Sequence, residues 1–372
     1  MTSIWSLTPV ISIEKQKQIR LQPRFSGISE ANISGISSAY NACADESSAE
    51  AIRAGIKTAI ERAYGSVEPV GDENVAKAPH RVFCSNLCPK EQGDAILEAG
   101  GIPVFIDVTS SDYNMDPDSL ETAFDIFPDT KVVVVNHLYG FPAQIQLIAE
   151  ICKAHGAMLV ENATESFGAT YFGKEIGTFG DIGIRSRITS SDDTIQKNKQ
   201  IYEYYRDHLN EDIMYVIEPC EGAEPNYSRC FLTIESCVEP ADFYSIGAGA
   251  TETVGDNGLS RDNRSFDYED VHGATSPEEI YDALAAFGAE AGFVYTPMNR
   301  LDEYKKYDFV TPDGLSVSES FFDESNSDYA FRCGILLPMD ASMTQDEQDR
   351  VIDIVHACFD MQNISRKCAI RI

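Results

Sequence analysis

Short apolar runs alternate with amphipathic stretches through the first half of this chain. Residues 132–135 are four consecutive valines, a pattern typical of a strand that is buried on both faces. The next apolar residues recur at helical spacing, namely Ile145, Leu147, Ile148, Ile151 and Cys152. Gly156 is placed to end that helix, and residues 157–160 form a second apolar run. This β–α–β unit predicts a parallel sheet, because such crossovers are right-handed.

The residues before this unit extend the same pattern. Residues 81–85 and 103–108 are predicted strands, and residues 47–64 place isoleucines at helical spacing. Asp116 and Pro117 are predicted as the cap and the first position of another helix. Together these elements predict an α/β fold with a mostly parallel sheet flanked by helices.

The second half of the chain predicts a smaller lobe of the α+β type. A helix over residues 194–209 is expected to end the large α/β lobe, so the predicted division is 1–209 with an N-terminal arm, and 210–372. Later helices are predicted to begin at Ser276 and at Thr344, where Thr344 and Glu347 have the spacing of a capping box. Residues 238–275 are rich in Gly, Asp and Ser and are predicted to form a long loop.

Polar side chains follow the strand predicted at residues 157–160. Glu161, Asn162 and Glu165 come next along the chain. The carboxyl ends of parallel strands are where open α/β sheets bind ligands. We therefore expect the functional site at this edge of the sheet.

Three segments around this edge carry a family resemblance. They are Asn-His-Leu-Tyr-Gly at residues 136–140, Leu-Val-Glu-Asn-Ala-Thr-Glu-Ser-Phe-Gly-Ala at residues 159–169, and Gly-Thr-Phe-Gly-Asp at residues 177–181. Their sequence and order resemble the DegT-type sugar aminotransferases. The resemblance implies a fold like that of pyridoxal phosphate (PLP)-dependent transferases, PLP as cofactor and a keto-sugar on a nucleotide carrier as ligand. It also implies a homodimer or a heterodimer with a paralogue.

The resemblance assigns three cofactor-binding positions, and two of them are altered. Asn162 stands where the family has the carboxylate that pairs with the pyridine nitrogen of PLP. Glu165 stands where the family has a glutamine beside the ring hydroxyl, and two anions there repel each other. Ser186 matches a serine that contacts the phosphate. An amide at position 162 carries no charge to stabilise a protonated pyridine.

The lysine that forms the Schiff base in the family has no counterpart in this chain. Its position falls near Ser191, within the run Ser-Arg-Ile-Thr-Ser-Ser. Lys197 and Lys199 follow on a predicted helix, where they are expected to be solvent-facing charges. The phosphate-binding turn of the family corresponds loosely to residues 47–50, where the glycine is absent and Glu50 is present. No catalytic residue is therefore assigned.

Composition narrows the choice of partners. The 372 residues carry a net charge of −31, which disfavours nucleic acid and anionic membranes as partners. No run of 18 apolar residues and no signal peptide is evident in the sequence. The ten cysteines are scattered, as is typical of proteins in a reducing compartment. We therefore expect a cytoplasmic location. Cys84 and Cys88 lack the second pair that a zinc site needs, and no metal site is predicted.

Three functions are compatible with these observations. The first is a catalytically degenerate DegT-type homologue that acts as a binding or partner subunit in sugar or natural-product biosynthesis. The second is an active PLP-dependent sugar aminotransferase with a displaced lysine. The third is a PLP-independent enzyme that reuses the cleft, with Glu161 or Glu165 as general base.

Overall fold

The computed structural model describes most of the chain in six segments. These are residues 46–66, 80–185, 191–210, 213–235, 275–316 and 325–369. The predicted N-terminal arm, most of the linker at 65–80, nearly all of the loop at 238–275 and Ser186 lie outside the described residues.

The order of helices and strands follows the alternating pattern of the sequence. The helices are α1 (Glu46–Tyr64), α2 (Lys90–Glu98), α3 (Pro117–Ile126), α4 (Ile145–His155), α5 (Asp192–Leu209), α6 (Pro277–Ala286), α7 (Asn326–Cys333) and α8 (Gln345–Ala369). The first strands are β1 (Arg81–Ser85), β2 (Ile102–Ile106), β3 (Val132–Asn136), β4 (Met158–Ala163), β5 (Thr170–Tyr171), β6 (Lys174–Glu175) and β7 (Ile182–Arg185). The others are β8 (Met214–Val216), β9 (Ala223–Glu224), β10 (Cys230–Ile234), β11 (Gly292–Phe293), β12 (Phe309–Thr311), β13 (Gly314–Leu315) and β14 (Gly334–Leu337).

A seven-stranded sheet forms the centre of the molecule, in the order β13-β12-β2-β1-β3-β4-β7. Every neighbouring pair is parallel except β12 and β13. One apolar cluster, which includes Ile52, Ile56 and Ile60, packs α1 and α2 on one face of the sheet. Another cluster, which includes Leu120, Phe124 and Ile148, packs α3 and α4 on the opposite face. The predicted α/β class is confirmed.

Capping residues set the ends of several helices as the sequence predicts. Asp116 accepts hydrogen bonds from the main-chain N–H groups of Asp118 (3.3 Å) and Ser119 (3.0 Å), and Pro117 occupies the first helical position of α3. Gly156 ends α4 with φ of 67°, in the left-handed region that glycine enters without strain. At α8, Glu347 Oε2 accepts from Thr344 N (2.8 Å), and Thr344 Oγ1 accepts from Glu347 N (3.4 Å).

Strand β4 is longer than the prediction for residues 157–160. It extends to Ala163 because β7 pairs with it as far as Ala163. Glu161 and Asn162 therefore lie inside the strand, where pairing with β3 fixes their directions. Asn162 lies opposite Asn136 in that pairing.

A four-stranded antiparallel sheet, β11-β14-β10-β8, forms the second layer of the molecule. Helix α5 belongs to this layer, because its buried Tyr202 donates a hydrogen bond to Ile217 O (2.5 Å) and Tyr205 donates to Pro338 O (3.1 Å). Conversely, β12 and β13 come from the second half of the chain and complete the large sheet. The division at residue 209 stays a prediction, and the two sheets do not follow it strictly.

Buried polar residues at the ends of β1 and β2 join the two layers. Asp107, just after β2, accepts hydrogen bonds from Asn326 N (3.1 Å), Ser327 N (3.0 Å) and Ser327 Oγ (2.7 Å) at the start of α7. Asn86, just after β1, donates to Ser327 Oγ (2.7 Å) and to Asn299 Oδ1 (3.0 Å). Burial nevertheless keeps the pKa of Asp107 above its ordinary value.

Within the described residues, no helix combines the length and apolarity needed to cross a bilayer.

The cap at Asp116 gives a stability prediction. We expect Asp116→Ala to lower the free energy of unfolding by about 1 kcal/mol, because two N–H groups of α3 lose their acceptor. Asp125→Ala is the matched control, because Asp125 is exposed in the same helix. Urea unfolding followed by circular dichroism measures both, and equal effects of the two substitutions would contradict the capping role.

Candidate functional site

Asn162 is buried at the carboxyl end of β4, and its side-chain amide is bound by the protein. Its Nδ2 donates to Gln92 Oε1 (2.8 Å), and its Oδ1 accepts from Thr164 N (3.2 Å) and Thr164 Oγ1 (2.8 Å). Gln92 is itself fully buried in α2 and donates from Nε2 to the sulfur of Cys84 (3.3 Å). The amide of Asn162 thus links the central strand to α2.

Asn136 lies beside Asn162 on β3 and retains an unused acceptor. Its Nδ2 donates to the carbonyl oxygen of Leu87 (3.0 Å), in the turn that leads from β1 into α2. Its Oδ1 is buried and has no hydrogen-bond partner within the described part of the chain. Leaving such an atom unpaired is costly, so this oxygen is a candidate ligand contact.

Glu161 is a fully buried carboxylate that anchors the turn before β7. It accepts hydrogen bonds from the main-chain N–H groups of Gly177 (2.9 Å), Phe179 (2.6 Å) and Gly180 (2.5 Å). Nε2 of His137 lies 3.4 Å from Glu161 Oε2. Both carboxylate oxygens are therefore engaged, which argues against the predicted alternative of Glu161 as a general base.

The environment of Glu161 favours its ionised form. Burial by itself raises the pKa of Glu161, but the nearby His137 ring and the N–H groups of Gly180 and Gly177 outweigh burial, so the pKa lies below its ordinary value. Nδ1 of His137 accepts from Ala143 N (3.1 Å), which assigns the proton of the neutral ring to Nε2; Nε2 lies 3.4 Å from Glu161 Oε2 without forming a hydrogen bond among the described residues. His137 therefore has a structural role.

Glu165 is half-buried in the loop after β4 and bonds to the second layer of the molecule. The Tyr295 hydroxyl donates to Glu165 Oε1 (2.6 Å). Burial raises the pKa of Glu165, Tyr295 and the charge of Arg229 counteract part of the rise, and the charge of Glu91 adds to it. Glu91 lies in the first turn of α2, and its Oε2 is buried without a partner among the described residues.

The loop that carries Glu165 is held in place by Asn226. Nδ2 of Asn226 donates to the carbonyl oxygens of Glu165 (2.8 Å) and Phe167 (3.1 Å). Asn226 N also donates to Gly140 O (3.3 Å). Gly140 has φ of 89°, and a Cβ there would collide with Oδ1 of Asn226, so only glycine fits this position. The turn after β3 and the loop after β4 are thus fixed to one another.

The lysines nearest in sequence to the position where the family resemblance expects the Schiff-base lysine form ion pairs with acidic residues. Ser191 is the N-cap of α5 and accepts from Thr194 N (3.2 Å). Lys197 is 51% exposed and lies 2.7 Å from Asp193, one turn earlier in the same helix. Lys199 lies 3.5 Å from Glu224. Of the two lysines predicted to face solvent, Lys197 is exposed, whereas Lys199 is half-buried.

These residues do not fit PLP held as a Schiff base. Such a cofactor needs a lysine amine and a carboxylate at the ring nitrogen. The sequence has no lysine between Lys174 and Lys197, and Asn162 has no charge. Glu50, near the predicted phosphate turn, is exposed, and Ser186 lies outside the described residues.

Three participants at this edge were not predicted from the sequence. Gln92 contacts Asn162 across 70 positions, and Tyr295 contacts Glu165 across 130 positions. Glu91 influences Glu165 through space. The role of Tyr295 as a hydrogen-bond donor to Glu165 has no local signature in the sequence.

The anchor at Glu161 gives a pH-dependent prediction. We expect Glu161→Gln to lower the free energy of unfolding at pH 7 by about 1–3 kcal/mol, because charged hydrogen bonds to three N–H groups are weakened. Because the folded pKa is lowered, this stabilisation is complete above 4.5, the ordinary value, and is lost as pH falls through the folded pKa.

Urea unfolding from pH 7 to pH 3 measures this difference. Glu150→Gln is the control, because Glu150 is an exposed glutamate of α4. A deficit for Glu161→Gln that stays constant over the whole pH range would show that charge is not responsible.

Comparisons with known proteins find the same family resemblance as the central motifs. Residues 92–187 match the model of the DegT/DnrJ/EryC1/StrS aminotransferase family. The chain is 25% identical to the putative pyridoxal phosphate-dependent aminotransferase EpsN of Bacillus subtilis over 320 residues, which are 74% of this chain and 76% of EpsN. It is 38% identical to a UDP-N-acetyl-3-dehydro-alpha-D-glucosamine 3-aminotransferase of Acidithiobacillus ferrooxidans over 97 residues, only 26% of each chain.

Solved structures extend the likeness beyond the family segment. The aminotransferase TlmJ from Streptoalloteichus hindustanus superposes with a TM-score of 0.57 at 17% identity, over 83% of this chain and 84% of TlmJ. A GDP-4-keto-6-deoxymannose-3-dehydratase with a trapped PLP-glutamate geminal diamine has a TM-score of 0.57 at 14% identity. At these identities the structures show the fold alone, while the sequence matches confirm the resemblance that the central motifs indicated. Residues 92–187 thus resemble the DegT/DnrJ/EryC1/StrS aminotransferase family, and a more distant likeness to an aminotransferase of Bacillus subtilis extends over most of the chain.

Proposed function

We propose that this chain keeps the DegT-type fold without its transamination chemistry and acts as a binding or partner subunit in sugar biosynthesis. The observation that carries the proposal is the connection from β7 to α5. Its residues are Ser-Arg-Ile-Thr-Ser-Ser, and the last of them, Ser191, is used as the N-cap of α5. No amine is therefore supplied where the family resemblance expects one.

The ring site supports the same conclusion. Asn162 replaces the expected carboxylate, and its amide is bound by Gln92 and Thr164. A hydrogen bond to a charged group contributes about 1.5–3 kcal/mol, so losing the contacts at ring and phosphate weakens PLP binding about a hundredfold or more. Because both polar atoms of the Asn162 amide already form hydrogen bonds within the protein, neither replaces the missing contact to the PLP ring.

The comparisons suggest what such a subunit binds. Some relatives act, by name, on nucleotide-linked sugars, such as the GDP-perosamine synthase of Caulobacter vibrioides, 23% identical over 315 residues. We propose a sugar-nucleotide or a related sugar as the ligand class and a homodimer or a paralogue heterodimer as the assembly. The ten cysteines support the cytoplasm as the location, because the described ones are free thiols that are mostly buried.

The proposal predicts that the protein forms no internal aldimine. Purified protein is incubated with PLP, reduced with borohydride and digested for mass spectrometry, beside a lysine-containing aminotransferase of the family. We expect a pyridoxyl-lysine adduct at one defined position in the control and none in this protein. A stoichiometric adduct on one lysine, lost when that lysine is replaced by arginine, would establish the displaced-lysine alternative instead. Lys197 and Lys199 are the first to inspect.

Replacing Ser191 by lysine alone is expected to leave the protein without an aldimine. Ser191→Lys removes the acceptor for Thr194 N and should lower the free energy of unfolding by about 1 kcal/mol. Ser191→Asp is the control, because aspartate also caps helices. The aldimine absorbance band after PLP addition is the readout, and its appearance in Ser191→Lys would show that only the amine is missing from the site.

A further inference from the structure

Two acceptor atoms near the start of α2 have no hydrogen-bond donor among the described residues. Oδ1 of Asn136 and Oε2 of Glu91 are both buried, and neither has a partner among the described residues. Asn136 also bonds to Leu87, four residues before Glu91, so it faces the turn that carries Glu91 into α2. Asn136 itself is only 3% exposed. Two buried oxygens that lack donors indicate a ligand, or water, that supplies them.

Glu165 adds a third acceptor group on the adjacent loop. Its carboxylate already accepts from Tyr295 on one oxygen and is close enough to Glu91 for the two charges to repel each other. The loop is fixed by the two hydrogen bonds from Asn226. The nearby cation Arg229 is exposed, although its charge also reaches Glu165. Glu165 is therefore held on a fixed loop, within electrostatic reach of Glu91.

We propose that this edge binds the protonated primary amine of a small molecule, with Glu91, Glu165 and Asn136 as acceptors. A primary ammonium group has three N–H donors and one positive charge, and it satisfies three acceptors, two of them carboxylates. This inference deepens the proposed binding function by naming the ligand chemistry. It requires no bond-making step.

The same edge is unsuited to an anion. A phosphate or carboxylate placed between Glu91 and Glu165 meets two like charges at close range. A neutral sugar hydroxyl satisfies one oxygen at a time and relieves none of the repulsion between the two glutamates. An ammonium group can donate to several of these oxygens at once, and its positive charge reduces the repulsion between the two glutamates.

The site also has a stability signature that a structural role does not have. Glu165 has a raised folded pKa, so its ionised form at neutral pH lowers stability, and this loss grows as pH rises from 4.5 through the folded pKa. Glu165→Gln is therefore expected to raise the urea midpoint at pH 7 while it weakens amine binding. A residue kept for ligand binding at the expense of stability shows this combination.

The test is isothermal titration of the full-length protein at pH 7 with four probes. D-glucosamine and ethanolamine carry a protonated amine, whereas N-acetyl-D-glucosamine and D-glucose do not. We expect saturable binding of D-glucosamine and a rise in Kd of at least tenfold in Glu165→Gln and in Glu91→Gln. Glu150→Gln, on the exposed face of α4, is expected to leave the Kd unchanged.

The outcomes separate the sources of the amine and separate this inference from the proposed function. Binding of both amines supports recognition of the ammonium group alone, and binding of D-glucosamine only supports recognition of an amino sugar. Equal binding of N-acetyl-D-glucosamine, absence of amine binding at millimolar concentration, or an unchanged Kd in both glutamine variants overturns the inference. The aldimine assay is run on the same samples, so a PLP adduct refutes the proposed function without deciding amine binding.

Discussion

Buried polar groups at the carboxyl ends of parallel strands need hydrogen-bond partners, and this requirement organises the molecule. Asp107 meets it with the N-terminus of α7, and Glu161 meets it with the turn at residues 177–180. Asn162 meets it with Gln92 from α2. Each pairing brings a segment from elsewhere in the chain onto one edge of the sheet. An unsatisfied buried group costs about as much as several ordinary contacts contribute, so these pairings fix the arrangement of the layers.

Two buried oxygens at this edge are exceptions, because Oδ1 of Asn136 and Oε2 of Glu91 have no donor among the described residues. Where relatives of this fold are expected to hold a charged cofactor, this chain presents an amide that is bound internally at Asn162 and half-buried carboxylates at Glu91 and Glu165. The net charge of −31 strengthens the preference of this edge for cations, because a negative surface raises the local concentration of positive ligands. In the proposed function, the loss of transamination chemistry and the preference for a cationic ligand both involve Glu165, which stands where the family resemblance expects a glutamine.

The sequence predicts those features that depend on neighbouring residues. The valine run of β3, the capping residues Asp116 and Thr344 and the terminating Gly156 act within one or two turns, so local patterns reveal them. Asn162 and Glu165 could be placed at the carboxyl edge of the sheet because they lie in a family motif directly after the apolar residues of β4.

Contacts between distant segments have no such local signal. The pairing of Gln92 with Asn162 and that of Tyr295 with Glu165 depend on how the layers pack, which periodicity does not encode. The length of β4 was also underestimated, because it is set by its neighbour β7 and not by its own apolar residues.

The strand β12 has a consequence for how this chain folds. Its hydrogen bonds to β2 close the large sheet across about 200 residues of sequence, and β13 follows it at the edge. Until residues 309–311 are available, β2 is an exposed edge with unpaired main-chain groups, open to pairing with other chains. Contacts of such long sequence separation form slowly, because the chain between β2 and β12 must lose entropy before any stabilising contact between them forms. The two halves of the chain are therefore one cooperative unit, and the first half alone is an aggregation hazard during synthesis.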